Sequence, residues 1–215
     1  MKSKKVLFTT FIIVTALVVG GLLTWWFIYK DGVRNAIPEL LAPKQEPASG
    51  VVYMDDINGY SVTIKYQYSY EVDALVVHTC DYTSYDIGDR LSPKDLALAW
   101  GRVAEMNNEI DFHWEQSHRY CKSHLDPEDE RKLGSVSWII YESSNNHIIP
   151  ANDEIRDLVG YIRRGDHVKL KGYLVNVSAY RDADKSTFTW NSSTVRTDTG
   201  AHSCEVFYVT SVEWA

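Results

Sequence analysis

The run Val6 to Tyr29 constrains everything that follows it. It reads VLFTTFIIVTALVVGGLLTWWFIY and carries no charged residue. At about 1.5 Å per residue, a helix over this stretch is long enough to cross a hydrocarbon core of roughly 30 Å. The expected organisation is a cytoplasmic tail over 1–5, a transmembrane helix over 6–29, a linker over 30–49 and an extracytoplasmic domain over 50–215. Lys2, Lys4 and Lys5 precede the run, and Lys30 and Arg34 follow it. That excess places the N-terminus in the cytoplasm, and Trp25, Trp26 and Tyr29 mark the outer interface. A cleaved signal peptide would have a shorter apolar region followed by small residues. This run is longer and ends in bulky aromatics. The chain therefore reads as a single-pass protein of the inner membrane, with the membrane as its first partner.

From Asp31 onward the chain holds 18 of the 22 basic residues and all 29 acidic ones, a net charge of about −11. Nucleic acid needs a basic face, so it is not an expected partner. A local basic strip remains around Arg163, Arg164, His167, Lys169 and Lys171. An oxidising compartment would turn two of Cys80, Cys121 and Cys204 into a disulfide and leave one thiol. The spacing selects none of the three pairings.

Pro38, Pro43 and Pro47 mark Asp31 to Ser49 as a spacer that holds the domain off the bilayer. Val62, Ile64, Tyr66, Tyr68 and Tyr70 alternate with polar residues, the period of a half-buried strand, and Asn58-Gly59 is a hairpin turn before it. Ser92 and Pro93 predict the start of a helix running to about Met106. Phe112 to Lys122 and Val136 to Tyr141 read as strands, Ser143 to Asn146 as a turn, and Asp126 to Lys132 as a solvated loop or helical turn. Asn152 caps a second helix over Asp153 to Arg163, and Gly165 ends it. Strands follow from Val168 to about Val177, Thr187 to Trp190 and Cys204 to Val212. The fold class is α+β: one N-terminal transmembrane helix, then a β-rich domain with two inserted helices. That domain is either a small curved sheet or an OB-like barrel, for which the glycine-bounded run Gly165 to Gly172 would permit sharp coiling.

Three segments resemble a family of membrane-anchored or exported bacterial proteins with no assigned function. They are Leu91-Ser-Pro-Lys-Asp-Leu-Ala-Leu-Ala-Trp-Gly101, Asn145-Asn-His-Ile-Ile-Pro-Ala151 and Thr197-Asp-Thr-Gly-Ala-His-Ser-Cys-Glu205. The resemblance implies a shared fold and an extracytoplasmic setting, and no reaction.

Cys204, His147 and Asn145 are the candidates for chemistry. A thiol beside an imidazole, with an amide to orient it, is the generic thiol-nucleophile arrangement. The competing reading puts Cys204 in a disulfide, Asn145 in a turn and His147 in a structural hydrogen bond. His118, Cys121 and His124 are metal-ligating residue types at a spacing that fits no standard site. Phosphate loops, Gly-x-Ser-x-Gly and His-Glu-x-x-His are absent from the sequence, so no cofactor is expected. The leading expectation is a non-catalytic binding or assembly protein of the bacterial envelope, with another envelope protein as its partner. The alternative is an envelope thiol- or metal-dependent hydrolase using Cys204 and His147.

Overall fold

A computed structural model describes residues 2–195, 197–198 and 203–215, with side chains in the first helix described over 10–25. The flanking side chains of Lys2, Lys4, Lys5, Trp26, Tyr29 and Lys30 lie outside the described residues, as do Arg196 and residues 199–202 of the loop before the last strand. The chain divides into two compact units, Met1–Val33 and Arg34–Ala215. The first is a single helix, α1 (Lys2–Asp31), which contains the whole uncharged run. Among the described residues no helix is long and apolar enough to cross a membrane. The described side chains of α1 span Thr10 to Trp25, a stretch shorter than the about 20 residues that a crossing takes.

The second unit is a strand-rich α+β domain on a curved sheet. Its elements run β1 (Lys44–Pro47), β2 (Val51–Ile57), β3 (Tyr60–Asp81), α2 (Ile87–Leu91), β4 (Lys94–Ala99), α3 (Gly101–Met106), β5 (Glu115–Ser117), β6 (Tyr120–Lys122), α4 (Pro127–Leu133), a 3-10 turn (Ser137–Tyr141), β7 (Ser143–Pro150), α5 (Asp153–Tyr161), β8 (His167–Arg181), β9 (Ser186–Asn191) and β10 (Glu205–Trp214). Five strands close a ring of pairings in the order β3, β4, β7, β10, β8 and back to β3. Every pairing in the ring is antiparallel except β7 with β10. The 22-residue β3 makes closure possible, because Ser61–Leu75 pairs with β8 and Leu75–Asp81 pairs with β4. Register shifts at Tyr66/Tyr68 and Val76/His78 bend it between the two partners.

Those bends explain why one alternating pattern feeds two cores. Val62 and Ile64 pack with Ile149, Val175, Val177 and Val206, whereas Tyr70, Val72 and Ala74 pack with Leu170, Leu174 and Phe207. The Asn58-Gly59 turn forms as expected, with φ of 55° and 77°. Asn152 caps α5 by accepting a hydrogen bond from the Ile155 amide at 2.9 Å, and Gly165 follows at φ 93°.

Several expectations are corrected. The helix expected from Pro93 to Met106 is strand β4 followed by the short α3. Every residue of β4 is buried, so Leu96-Ala97-Leu98-Ala99 shows no alternation and its spacing mimics a helix. Ser143 to Asn146, expected as a turn, begins β7. Asn146 is fully buried and keeps its amide bonded to Ser144 and to the Leu96 carbonyl. Val136 to Tyr141 is a 3-10 turn rather than a strand. Phe112 to Lys122 is a hairpin, with β5 and β6 joined through His118 and Arg119, both at positive φ.

The spacer is also corrected. The Ile37 amide donates to the Ala104 carbonyl, the Gly101 amide donates to the Leu40 carbonyl, and β1 pairs with β3. Residues 34–49 thus belong to the domain. All three cysteines stand as free thiols in place of the expected disulfide. Three residues of the basic strip face carboxylates on β3, with His167 and Lys169 on Asp73 and Lys171 on Glu71.

Candidate active site

The register of the ring places chemistry-bearing residues side by side. Cys80 of β3 pairs with Asp95 of β4, Asp95 with His147 of β7, and His147 with Val206 of β10. Cys204 immediately precedes β10, whose first residue, Glu205, pairs with Asn146. Asn145 therefore arrives beside Cys204, and its amide nitrogen lies 3.4 Å from the sulfur.

His147 Nδ1 lies 2.9 Å from Asp95 Oδ1. The Cys204 thiol, which also points at the Arg119 carbonyl at 3.9 Å, is the second group that acts on the ring. Burial pushes the imidazole toward its neutral form, but Asp95 and Cys204 together outweigh it and raise the pKa of His147. Thiol, imidazole and carboxylate are thus neighbours in the fold, with the carboxylate side chain only 1% exposed.

A buried carboxylate needs a cation. Arg119 supplies it from the turn of the β5–β6 hairpin, with Nη1 2.7 Å from Asp95 Oδ1 and Nη2 2.6 Å from Asp89 of α2. Nη2 also donates to the Ser92 carbonyl at 2.8 Å. The guanidinium lies 3.6 Å over the Tyr82 ring, and Trp190 of β9 stacks 4.6 Å from His147. Arg119 sits at φ 69° in a two-residue loop, a conformation that non-glycine residues adopt at a cost of about 1 kcal/mol or more.

Cys121 of β6 borders the same pocket as Cys204 and Asn145, a cavity of about 400 Å³ also lined by Trp114, Tyr120 and Ile139. Burial, with smaller contributions from Cys204 and Asp95, pushes the Cys121 thiol up to about 12. Cys121 therefore stays protonated, and Cys204 is the thiol that acts on the imidazole.

No family model, curated protein or solved structure matches this chain. What the site can do is therefore argued from its geometry. All three residues singled out for thiol chemistry, Cys204, His147 and Asn145, meet at one place. The three weighed for a metal do not. His118 occupies the hairpin turn, Cys121 faces the pocket, and His124 stacks on His113 at 4.5 Å. Among the described residues no group of three His, Cys, Asp or Glu side chains is placed to hold a metal ion.

Sequence reasoning missed Asp95, Arg119 and Gln116. Asp95 read as a first-turn acid of a helix because β4 was taken for one. Arg119 had no motif around it. A sequence signal existed only in the Ser117-His118-Arg119-Tyr120 turn, which lacks the glycine or asparagine such turns favour.

Proposed function

We propose that the domain is a thiol-dependent acyl-transfer enzyme, most simply a hydrolase of a carboxylic-acid derivative. Cys204 is the nucleophile, His147 its general base and later the acid to the leaving group, and Asp95 the carboxylate that orients the imidazole. The single observation that carries this reading is that the pairing of β4, β7 and β10 brings Asp95, His147 and Cys204 together, with His147 Nδ1 2.9 Å from Asp95. Attack by Cys204 Sγ on an acyl carbon forms a thioester and expels the leaving group with the proton from His147. Water then cleaves the thioester with His147 as base. Asn145 donates toward the sulfur and fixes its place beside the pocket.

The place of the site supports the same reading. The ring order β3-β4-β7-β10-β8, with β7 parallel to β10 and α5 between β7 and β8, is that of an OB barrel. Such barrels bind ligands on their second and third strands and on the loops between strands one and two and between strands four and five. Here those parts supply Asp95, His147, Asp89 and Cys204. The runner-up, a non-catalytic binding or assembly protein, would leave Cys204 indifferent to His147.

That difference is the test. In the full-length protein in detergent, iodoacetamide alkylation of Cys204 at pH 7, followed by mass spectrometry, should slow about tenfold or more in His147→Ala. A 4-nitrophenyl ester should leave an acyl group on Cys204. Equal alkylation rates in wild type and His147→Ala would remove the enzyme reading and return the domain to a binding role.

The helix α1 reads in the same proposal as a membrane anchor, because the uncharged run lies within one unbroken helix. The domain would then face outward from the inner membrane. Full-length protein should stay with membranes through alkaline carbonate extraction, and a chain beginning at Arg34 should be released. Release of both would sink the anchor.

A further inference from the structure

Gln116 of β5 has no part in the triad, yet it is buried and its amide is bonded at both ends. His78 Nδ1 lies 2.9 Å from Gln116 Oε1, and Gln116 Nε2 donates to Asn145 Oδ1 at 2.6 Å. Asn145 Nδ2 in turn donates to Cys204 Sγ at 3.4 Å and to the Arg119 carbonyl at 3.2 Å. All of these bonds run with one polarity. His78 donates to Gln116, Gln116 donates to Asn145, and Asn145 donates to the sulfur. A side-chain amide can be turned end for end with almost no change of shape, so only its hydrogen bonds decide which end faces a neighbour. If Asn145 were turned, its oxygen would face the Arg119 carbonyl with no proton between them, and the Cys204 thiol, whose one proton already points at that carbonyl, would lose its only donor from Asn145.

We infer that Gln116 is a positioning residue: with His78 it fixes the Asn145 amide so that the NH2 group, rather than the carbonyl oxygen, faces Cys204. This deepens the thiol-enzyme reading and rests on it. The chain joins β3, β5, β7 and the residue before β10, so the short hairpin β5–β6 serves the site twice. One strand brings Gln116 to Asn145, and the turn brings Arg119 to Asp95. The ionisable groups linked to the thiol are His147 and Cys121, with Tyr120, Lys122, Asp198 and Glu205 around the pocket. None of them belongs to the relay beyond Asn145, so a change at Gln116 or His78 reaches the sulfur through one amide.

The probe is iodoacetamide on the full-length protein at pH 7, with Cys204 and Cys121 followed separately by mass spectrometry. Asn145→Ala should slow Cys204 alkylation about tenfold, since it removes a hydrogen bond to a charged group. Gln116→Met, which keeps the length of the side chain and loses its polarity, should slow it about three- to tenfold. In the Asn145→Ala background Gln116→Met should change the rate by less than about twofold, because Gln116 acts through Asn145. Cys121, whose thiol is pushed up to about 12, should stay as slow as in wild type in every variant. Faster Cys121 alkylation in Gln116→Met, or an effect of Gln116→Met that persists without Asn145, would show loosened packing and overturn the inference. If Gln116→Met does not fold, His78→Leu decides, with the same direction, a smaller size and the same dependence on Asn145. Loss of the His147 effect in wild type would instead overturn the thiol-enzyme reading itself, and the two failures are distinguishable.

Discussion

Gly172→Ala should leave the domain without a cooperative unfolding transition. A Cβ on Gly172 would sit 1.9 Å from the Tyr208 carbonyl oxygen and 2.9 Å from its carbonyl carbon. Both atoms are backbone, so no rotamer change relieves the overlap. The close approach arises where β10 bulges between Val209 and Ser211 while pairing with β8. Reaching an ordinary contact distance would require β10 to move by more than an ångström from β8, and β10 also carries the parallel pairing to β7. The ring closes through that strand, so displacement there opens the sheet between β8 and β10. A domain of this size is held by about 5–15 kcal/mol in all, and loss of several strand–strand bonds together with core contacts of Phe207 and Val209 consumes that margin. Thermal melting followed by circular dichroism on full-length protein is the measurement. Gly160→Ala in α5 is the control, because nothing lies within 4 Å of its Cβ position and it should gain about 0.5–1 kcal/mol. A Gly172→Ala protein that melts within a few degrees of wild type would mean that the approach of β8 and β10 is not as close as described.

The same glycine shows what the sequence can tell. The run Gly165 to Gly172 marked a strand that coils sharply, and the structure adds which backbone presses on it. Local signals were legible wherever a residue's own backbone preference decides the outcome. Asn58-Gly59 makes its turn, Asn152 caps α5, and the alternation over Val62 to Tyr70 is a strand. Where burial comes from both sides, the local signal fails. β4 has no exposed face, so its apolar run lacks a period, and the polar start of β7 is hidden because Ser144 and the Leu96 carbonyl take the Asn146 NH2 group. The site follows the same division. Cys204, His147 and Asn145 stood out by residue type, and the parallel pairing of β7 with β10 unites them. Asp95 and Arg119 are recognisable only through the pairing of β4 with β7 and through a strained turn, and neither feature is written in neighbouring residues.

Arg119→Met should cost the domain about 3–5 kcal/mol, the range for removing one partner of a buried ion pair. Methionine keeps much of the apolar stem, and the strain at φ 69° is the same for either residue, so the loss measures charge. Asp95 then keeps a single cation, His147, while Asp89 and the Ser92 carbonyl lose the guanidinium altogether. The pH dependence follows from the raised pKa of His147. Its stabilising charge is fully present below the unfolded value of about 6.5 and is lost as the pH rises through the higher folded value. The deficit of Arg119→Met relative to wild type should therefore widen between pH 6 and pH 9, because above the folded value nothing offsets the Asp95 charge. Adding Asp95→Asn should recover most of the loss at pH 9, since it removes the charge that Arg119 neutralised. Urea denaturation at the two pH values measures all of these quantities. A deficit that is the same at both pH values and untouched by Asp95→Asn would mean that Arg119 stabilises the hairpin through packing on Tyr82 and Trp190 rather than through the carboxylate that orients His147.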